Sequence, residues 1–209
     1  MLPKQINVNA FGIALLTACL FYISEIFAGN LIPKGALSLL FIGIIRLIQI
    51  AVFIRIIGLN ALGLETDRLF SGFIKGLIWS FAFGLLVIVI AELFWLWSGK
   101  NPMTFLRSEL PENGIERVLF FCVGGWIAPI AEEIFFRGIL YGFFRRWGIV
   151  AAMILSTAIF FIAHNNAGFP QCVGGILFAM SYESEGSLMT PIVIHSLGNI
   201  AIFTVYLLI

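Results

Sequence analysis

The chain has 209 residues, 61% of them apolar and 11% charged, at a mean hydropathy of +1.07, where soluble domains run near about 45–50% apolar and about 25% charged. Twelve basic residues against eleven acidic ones leave a net charge of +1, so no basic field exists to hold phosphates and no nucleic-acid partner is expected. A soluble globule, a disordered chain and a collagen-like fibre are excluded. What remains is an all-α polytopic membrane protein, one integral domain over residues 1–209, with the lipid bilayer as its solvent.

A spanning helix needs about 20 mostly apolar residues. Spans are predicted over 10–29, 36–57, 77–97, 117–141, 148–164, 169–182 and 188–208. The count is six to seven, because 169–182 is short enough to be a partial helix. The segment 77–97 ends in Trp95 and Trp97, residues that favour a membrane interface. Residues 64–76 mix Glu65, Asp67, Arg68 and Lys75 with Leu, Phe and Ile, a pattern expected of an interfacial helix. The first apolar run is long enough to stay as an anchor, so no cleavable leader is expected. The longest polar stretch, 98–116, contains Pro102, Pro111 and Gly114 as breakers and separates N-terminal spans (1–114) from a C-terminal block (115–209). Basic residues divide six to four in favour of an N-inside orientation: Lys4, Arg55, Arg68, Lys75, Arg145 and Arg146 against Lys34, Lys100, Arg107 and Arg117. Cys19, Cys122 and Cys172 are scattered through apolar runs, which suggests neither a disulfide framework nor a zinc cluster.

Ionisable residues inside spans carry the most information, since each charge at the bilayer centre costs at least about 2.5–3.5 kcal/mol. Glu25, Arg46 and Glu92 stand singly, and interhelical pairing or an interfacial position accounts for them. Pro129-Ile-Ala-Glu132-Glu133-Ile-Phe-Phe-Arg137-Gly138 is different. Glu133 and Arg137 are at i,i+4 and pair on one face, while Glu132 lies about 100° around the helix. Two carboxylates at this depth do not both ionise cheaply, so one of them is suited to exchanging protons. A buried ion pair that fixes packing explains Glu133 and Arg137 but leaves Glu132 without a partner. Loss of Glu133 should therefore harm stability more than chemistry.

Both histidines of the chain fall in the C-terminal block. His164 closes the apolar run 154–163 and precedes the Asn165-Asn166-Ala167-Gly168 turn. His195 and Asn199, at i,i+4, project from one face of one helix. Glu132 lies fifteen positions before Trp147 and His164 seventeen after it, or roughly 22 and 25 Å from the intervening turn at 1.5 Å per residue. An antiparallel pair of helices therefore puts the carboxylate and the imidazole at one height. Gly124-Gly125 and Pro129 permit a kink just before the glutamates, which would open room for water.

Glu132-Glu133-x-x-x-Arg137, Phe160-x-x-x-His164 and His195-x-x-x-Asn199, in that order, resemble the three motifs of the CAAX-protease and bacteriocin-processing (CPBP, or Abi) family of glutamic intramembrane proteases, the type II CAAX prenyl endopeptidases among them. The resemblance covers residues from about 115 to 205 and makes that block the catalytic core of the expected fold. It implies hydrolysis of a peptide bond in a membrane-associated protein or peptide, without metal or cofactor. In it Glu132 with His164 activates water, His195 and Asn199 donate to the oxyanion, and Glu133 and Arg137 orient and tune the pair. Such chemistry agrees with the residue types, since a carboxylate–imidazole pair can take a proton from water and a second pair of donors can meet the developing charge. A C-terminal sorting or signal segment is one substrate expected from the resemblance, and the cytoplasmic membrane of a prokaryote is the expected location.

Two other readings compete. Two histidines and a glutamate can form a catalytic zinc site, although His-Glu-x-x-His is missing. A non-catalytic bacteriocin-immunity or scaffold protein would keep the fold and use it for binding. A transporter is disfavoured, since neither inverted repeats nor paired broken helices are visible.

Overall fold

The computed structural model describes residues 6–102, 110–164 and 168–208. Lys4, Arg107 and the Asn165-Asn166-Ala167 turn lie outside the described residues. The helices, in chain order, are α1 (Val8–Leu31), α2 (Ala36–Ile57), the single turn α3 (Leu59–Leu62), α4 (Thr66–Ser98), α5 (Gly114–Trp147), α6 (Ile149–Ile162), α7 (Phe169–Glu185) and α8 (Met189–Leu208). The described residues contain no strand. The chain is an all-α, multi-pass integral membrane protein.

Each of the seven predicted spans is a helix, and five stretches are long and apolar enough to cross a bilayer: α1, α2, the α3–α4 run, α5 and α8. Helices α6 and α7, of 14 and 17 residues, fall short of that length. One expectation is corrected. Residues 64–76 do not form a separate interfacial helix, because from Thr66 onward they are the first turns of α4. A helix of 33 residues is about 50 Å long, well beyond the roughly 30 Å hydrocarbon core, so its charged first turns can extend past the lipid without a break in the helix.

Local signals set the ends. The Asn7 side chain accepts from the Ala10 N–H at 2.8 Å and starts α1, and Asn113 caps α5 in the same way at Ile115. Between α5 and α6 the chain reverses at Gly148, whose φ of +103° suits glycine and no larger residue. The helices pack around Phe53, Ile134, Tyr141, Ala179, Tyr182 and Leu188, all buried. Large apolar residues such as Leu20, Phe81 and Leu96 face outward, as expected where lipid rather than water is the solvent.

Helix α4 lies against α8 with almost no space between them. A Cβ on Gly76 would stand 2.6 Å from Val193 Cβ and 3.0 Å from the Thr190 carbonyl oxygen, and the Thr190 hydroxyl donates to the Gly72 carbonyl at 3.2 Å. Two polar clamps tie one end of the bundle together. Lys75 and the Trp79 indole of α4 meet Glu185 of α7 at 2.7 and 3.1 Å. Arg145 and the Tyr141 hydroxyl of α5 meet Glu183 of α7, each at 2.7 Å.

Candidate active site

Helix α5 is not a uniform α-helix. Two π-helical stretches, Val123–Ile127 and Ile134–Tyr141, flank the α-turns that carry Glu132 and Glu133. Pro129 has no N–H to give to the carbonyl four residues back, so the ladder is already interrupted there. In the first stretch the Ala128 N–H reaches the Val123 carbonyl, which releases the Gly124 carbonyl from the regular i→i−4 pattern. The Asn199 side-chain amide of α8 donates to that oxygen at 2.9 Å. The expected irregularity before the glutamates is therefore a change of helical register, as π-bulges near functional sites often are.

The i,i+4 pair forms as the spacing predicts. Arg137 Nη1 donates to Glu133 Oε1 at 2.9 Å, and both side chains are fully buried. Arg137 also donates to the Gly175 carbonyl of α7 at 3.1 Å, and its guanidinium lies 4.4 Å from the Phe160 ring centroid, a cation–π contact. Glu133 has a second partner that sequence spacing does not reveal. His195 Nδ1 lies 2.7 Å from the same Glu133 Oε1. That oxygen already accepts from the Arg137 guanidinium, and as the acceptor of this ion pair it takes the His195 Nδ1–H as well. Phe178 of α7 stacks on the imidazole at 4.6 Å and 19°.

His164 lies two residues past the end of α6, and its Nδ1–H donates back to the Phe160 carbonyl at 2.7 Å. Since a carbonyl can only accept, this bond fixes the tautomer and leaves Nε2 free. The depth expectation holds: His164 Nε2 is 3.8 Å from Glu132 Oε2, and His195 Nε2 is also 3.8 Å from that oxygen. Glu132 and His164 are partly exposed, whereas Glu133, Arg137 and His195 are buried. Three proton-accepting atoms from α5, α6 and α8 thus converge, each histidine held by its other nitrogen. Their separations are too long for direct hydrogen bonds and within one-water reach.

All six expected site residues lie around one junction of α5, α6 and α8, with Asn199 turned toward the Gly124 carbonyl. Where the sequence offers Arg137 alone as a partner of Glu133, the structure adds His195. Sequence reasoning missed the part of α7 in the site, where Gly175 and Phe178 fix Arg137 and His195 across 38 and 17 positions. Among the described residues, no three His, Cys, Asp or Glu side chains are grouped to hold a metal ion, and the three cysteines are exposed and free.

Residues 114–201 match the family model of the Rce1-like type II CAAX prenyl endopeptidases. The matched stretch begins with α5, runs into α8 and contains every residue of the junction. The family is one of membrane endopeptidases, hydrolases of peptide bonds. It leaves α1 to α4 outside the match. Comparisons with curated proteins and with solved structures return no match.

Proposed function

We propose that the protein is a glutamic-type intramembrane endopeptidase that hydrolyses a peptide bond in a membrane-associated protein or peptide. The observation that carries this reading is the convergence of His164 Nε2 and His195 Nε2 on Glu132 Oε2, each at 3.8 Å. A water among these atoms can give a proton to Glu132, assisted by His164, while its oxygen attacks the scissile carbonyl. The proton then passes to the leaving amine as the tetrahedral intermediate collapses. His195 already donates its Nδ1–H to Glu133, so it can donate from Nε2 to an oxyanion only as the imidazolium. The second N–H of the Asn199 amide is the other oxyanion donor, and Glu133 and Arg137 orient His195. A C-terminal sorting or signal segment is the substrate class that best suits a site buried among spans, in the cytoplasmic membrane of a prokaryote.

The test is cleavage by the purified protein in liposomes. One probe is a fluorogenic peptide whose prenylated Cys is followed by three residues, and the other is a fusion with a C-terminal apolar helix and a basic tail. Cleavage of either should fall about 10²–10⁴-fold in Glu132→Ala and His164→Ala, with insertion and abundance unchanged, and should withstand a chelator. Activity within a few-fold of the parent in either variant would exclude the assignment. Loss in chelator restored by zinc would favour the metal-dependent reading. A parent that cleaves neither probe would favour a binding protein with the same fold.

A further inference from the structure

Helices α1 and α2 lie outside the family match, yet they hold a second charged cluster beside α5. Arg46 Nη2 of α2 donates to Glu25 Oε2 of α1 at 3.0 Å, and Arg46 Nη1 donates to Gln49 Oε1 at 2.9 Å. Gln49 is buried, and Glu25 Oε1 and Arg46 Nε are buried with no hydrogen-bond partner among the described residues. A structural pair in two apolar spans is expensive to keep, and intramembrane ionisable groups usually serve a site. The packing says which site. Gly43 of α2 lies against Val123 of α5, where an added Cβ would be 3.0 Å from the Val123 side chain. Ten positions further along, Phe53 stacks on Phe135 at 5.7 Å. The two helices therefore run parallel, and Arg46 and Gln49 lie between those contacts on α2 as Glu132 lies between them on α5. Helix α2 packs directly against the turns of α5 that carry Glu132.

We propose that Glu25 and Arg46 form a positioning pair for Glu132: two opposed, mutually anchored charges whose combined field holds the Glu132 carboxylate toward His164 and His195 and sets when it accepts a proton. The inference rests on the reading of Glu132 as the base. The charged groups around Glu132 are Glu133 and Arg137 from its own helix, His164 just past α6 and His195 from α8, with Glu25 and Arg46 on the helices α1 and α2 that pack beside it. Removing Glu25 alone leaves the Arg46 cation uncompensated and eases ionisation of Glu132. Removing Arg46 alone leaves the Glu25 anion uncompensated and opposes it. A merely structural pair would give no such opposition of sign.

The experiment needs no substrate. The infrared carboxyl band of Glu132, assigned by its loss in Glu132→Gln, is titrated in liposomes for the parent, Glu25→Gln, Arg46→Gln and the double variant. Glutamine keeps hydrogen-bonding capacity at both positions, and the double variant reports any damage to packing. The midpoint should fall in Glu25→Gln and rise in Arg46→Gln, each on the order of one pH unit, as for a unit charge several ångströms away in a partly buried site. The double variant should return close to the parent. Shifts of the same sign, an unchanged midpoint in all four proteins, or no titration between about pH 4 and pH 10 would overturn the inference. Failure of the base assignment would show separately, as undiminished cleavage by Glu132→Gln.

Discussion

Glu133 holds two other site residues through one carboxylate oxygen. Its Oε1 accepts from Arg137 and from His195, at 2.9 and 2.7 Å. Glu133→Ala strands the buried Arg137 cation, which should lower stability by about 3–5 kcal/mol in detergent unfolding. Because His195 then loses its acceptor, cleavage should fall even in variants assayed well below their unfolding midpoint. A variant that is destabilised but fully active would mean that His195 needs no orienting partner. Asn199 poses a different question. Its amide donates to the Gly124 carbonyl, so a role at the oxyanion depends on the N–H that remains. Asn199→Ala should lose about 10²–10³ in rate with substrate binding little changed, so that a tagged substrate co-purifies with the variant. An unaltered rate would make this residue a filler of the Gly124 position only.

Among the elements, α8 depends on how closely α4 can approach it. With no Cβ at Gly76, the Val193 side chain and the Thr190 carbonyl come up against the α4 backbone. Gly76→Ala must push α8 outward, which should cost about 1–3 kcal/mol of stability and move His195 relative to Glu132. Cleavage should drop with stability. Gly84, on the same helix, has no neighbour within 4 Å of where its Cβ would lie. Gly84→Ala should be neutral or stabilising by up to about 1 kcal/mol from helix propensity alone. Equal effects from the two substitutions would show that close packing of α4 on α8 is not what places the histidine.

Across the whole molecule, the clamps at one end of the bundle carry a pH signature. Burial raises the proton affinity of Glu183, but hydrogen bonds from Arg145 and Tyr141 outweigh it and hold the carboxyl below its ordinary value of 4.5. Glu185 follows the same balance, with burial opposed by Lys75 and Trp79. A carboxyl whose folded value is depressed stabilises the fold fully above the unfolded value, and that contribution is lost as pH falls through the folded one. Unfolding midpoints in detergent should therefore hold steady above the ordinary carboxylate value and fall as the pH drops below it. Glu183→Gln and Glu185→Gln should each be less stable near neutrality and flatter in acid. A parent whose midpoint is insensitive to acid in that range would mean that these clamps contribute nothing to the fold.

Apolar run length and the positions of Gly148, Asn7 and Asn113 determine the helices, because a bilayer leaves a continuous helix as the main way to satisfy a spanning backbone. Spacing within one helix likewise determines Glu133–Arg137, since residues at i and i+4 share a face whatever surrounds them. The equal depth of Glu132 and His164 follows from counting outward from the turn at Gly148. Tertiary structure alone decided the rest. No local rule relates Glu133 to His195 across 62 positions or Tyr141 to Glu183 across 42. Whether 64–76 lies along the membrane surface or continues into α4 turns on packing against α8, to which periodicity is blind. The release of the Gly124 carbonyl to Asn199 needs a π register in α5 and a donor on α8 at the same point, a coincidence fixed only when the two helices meet.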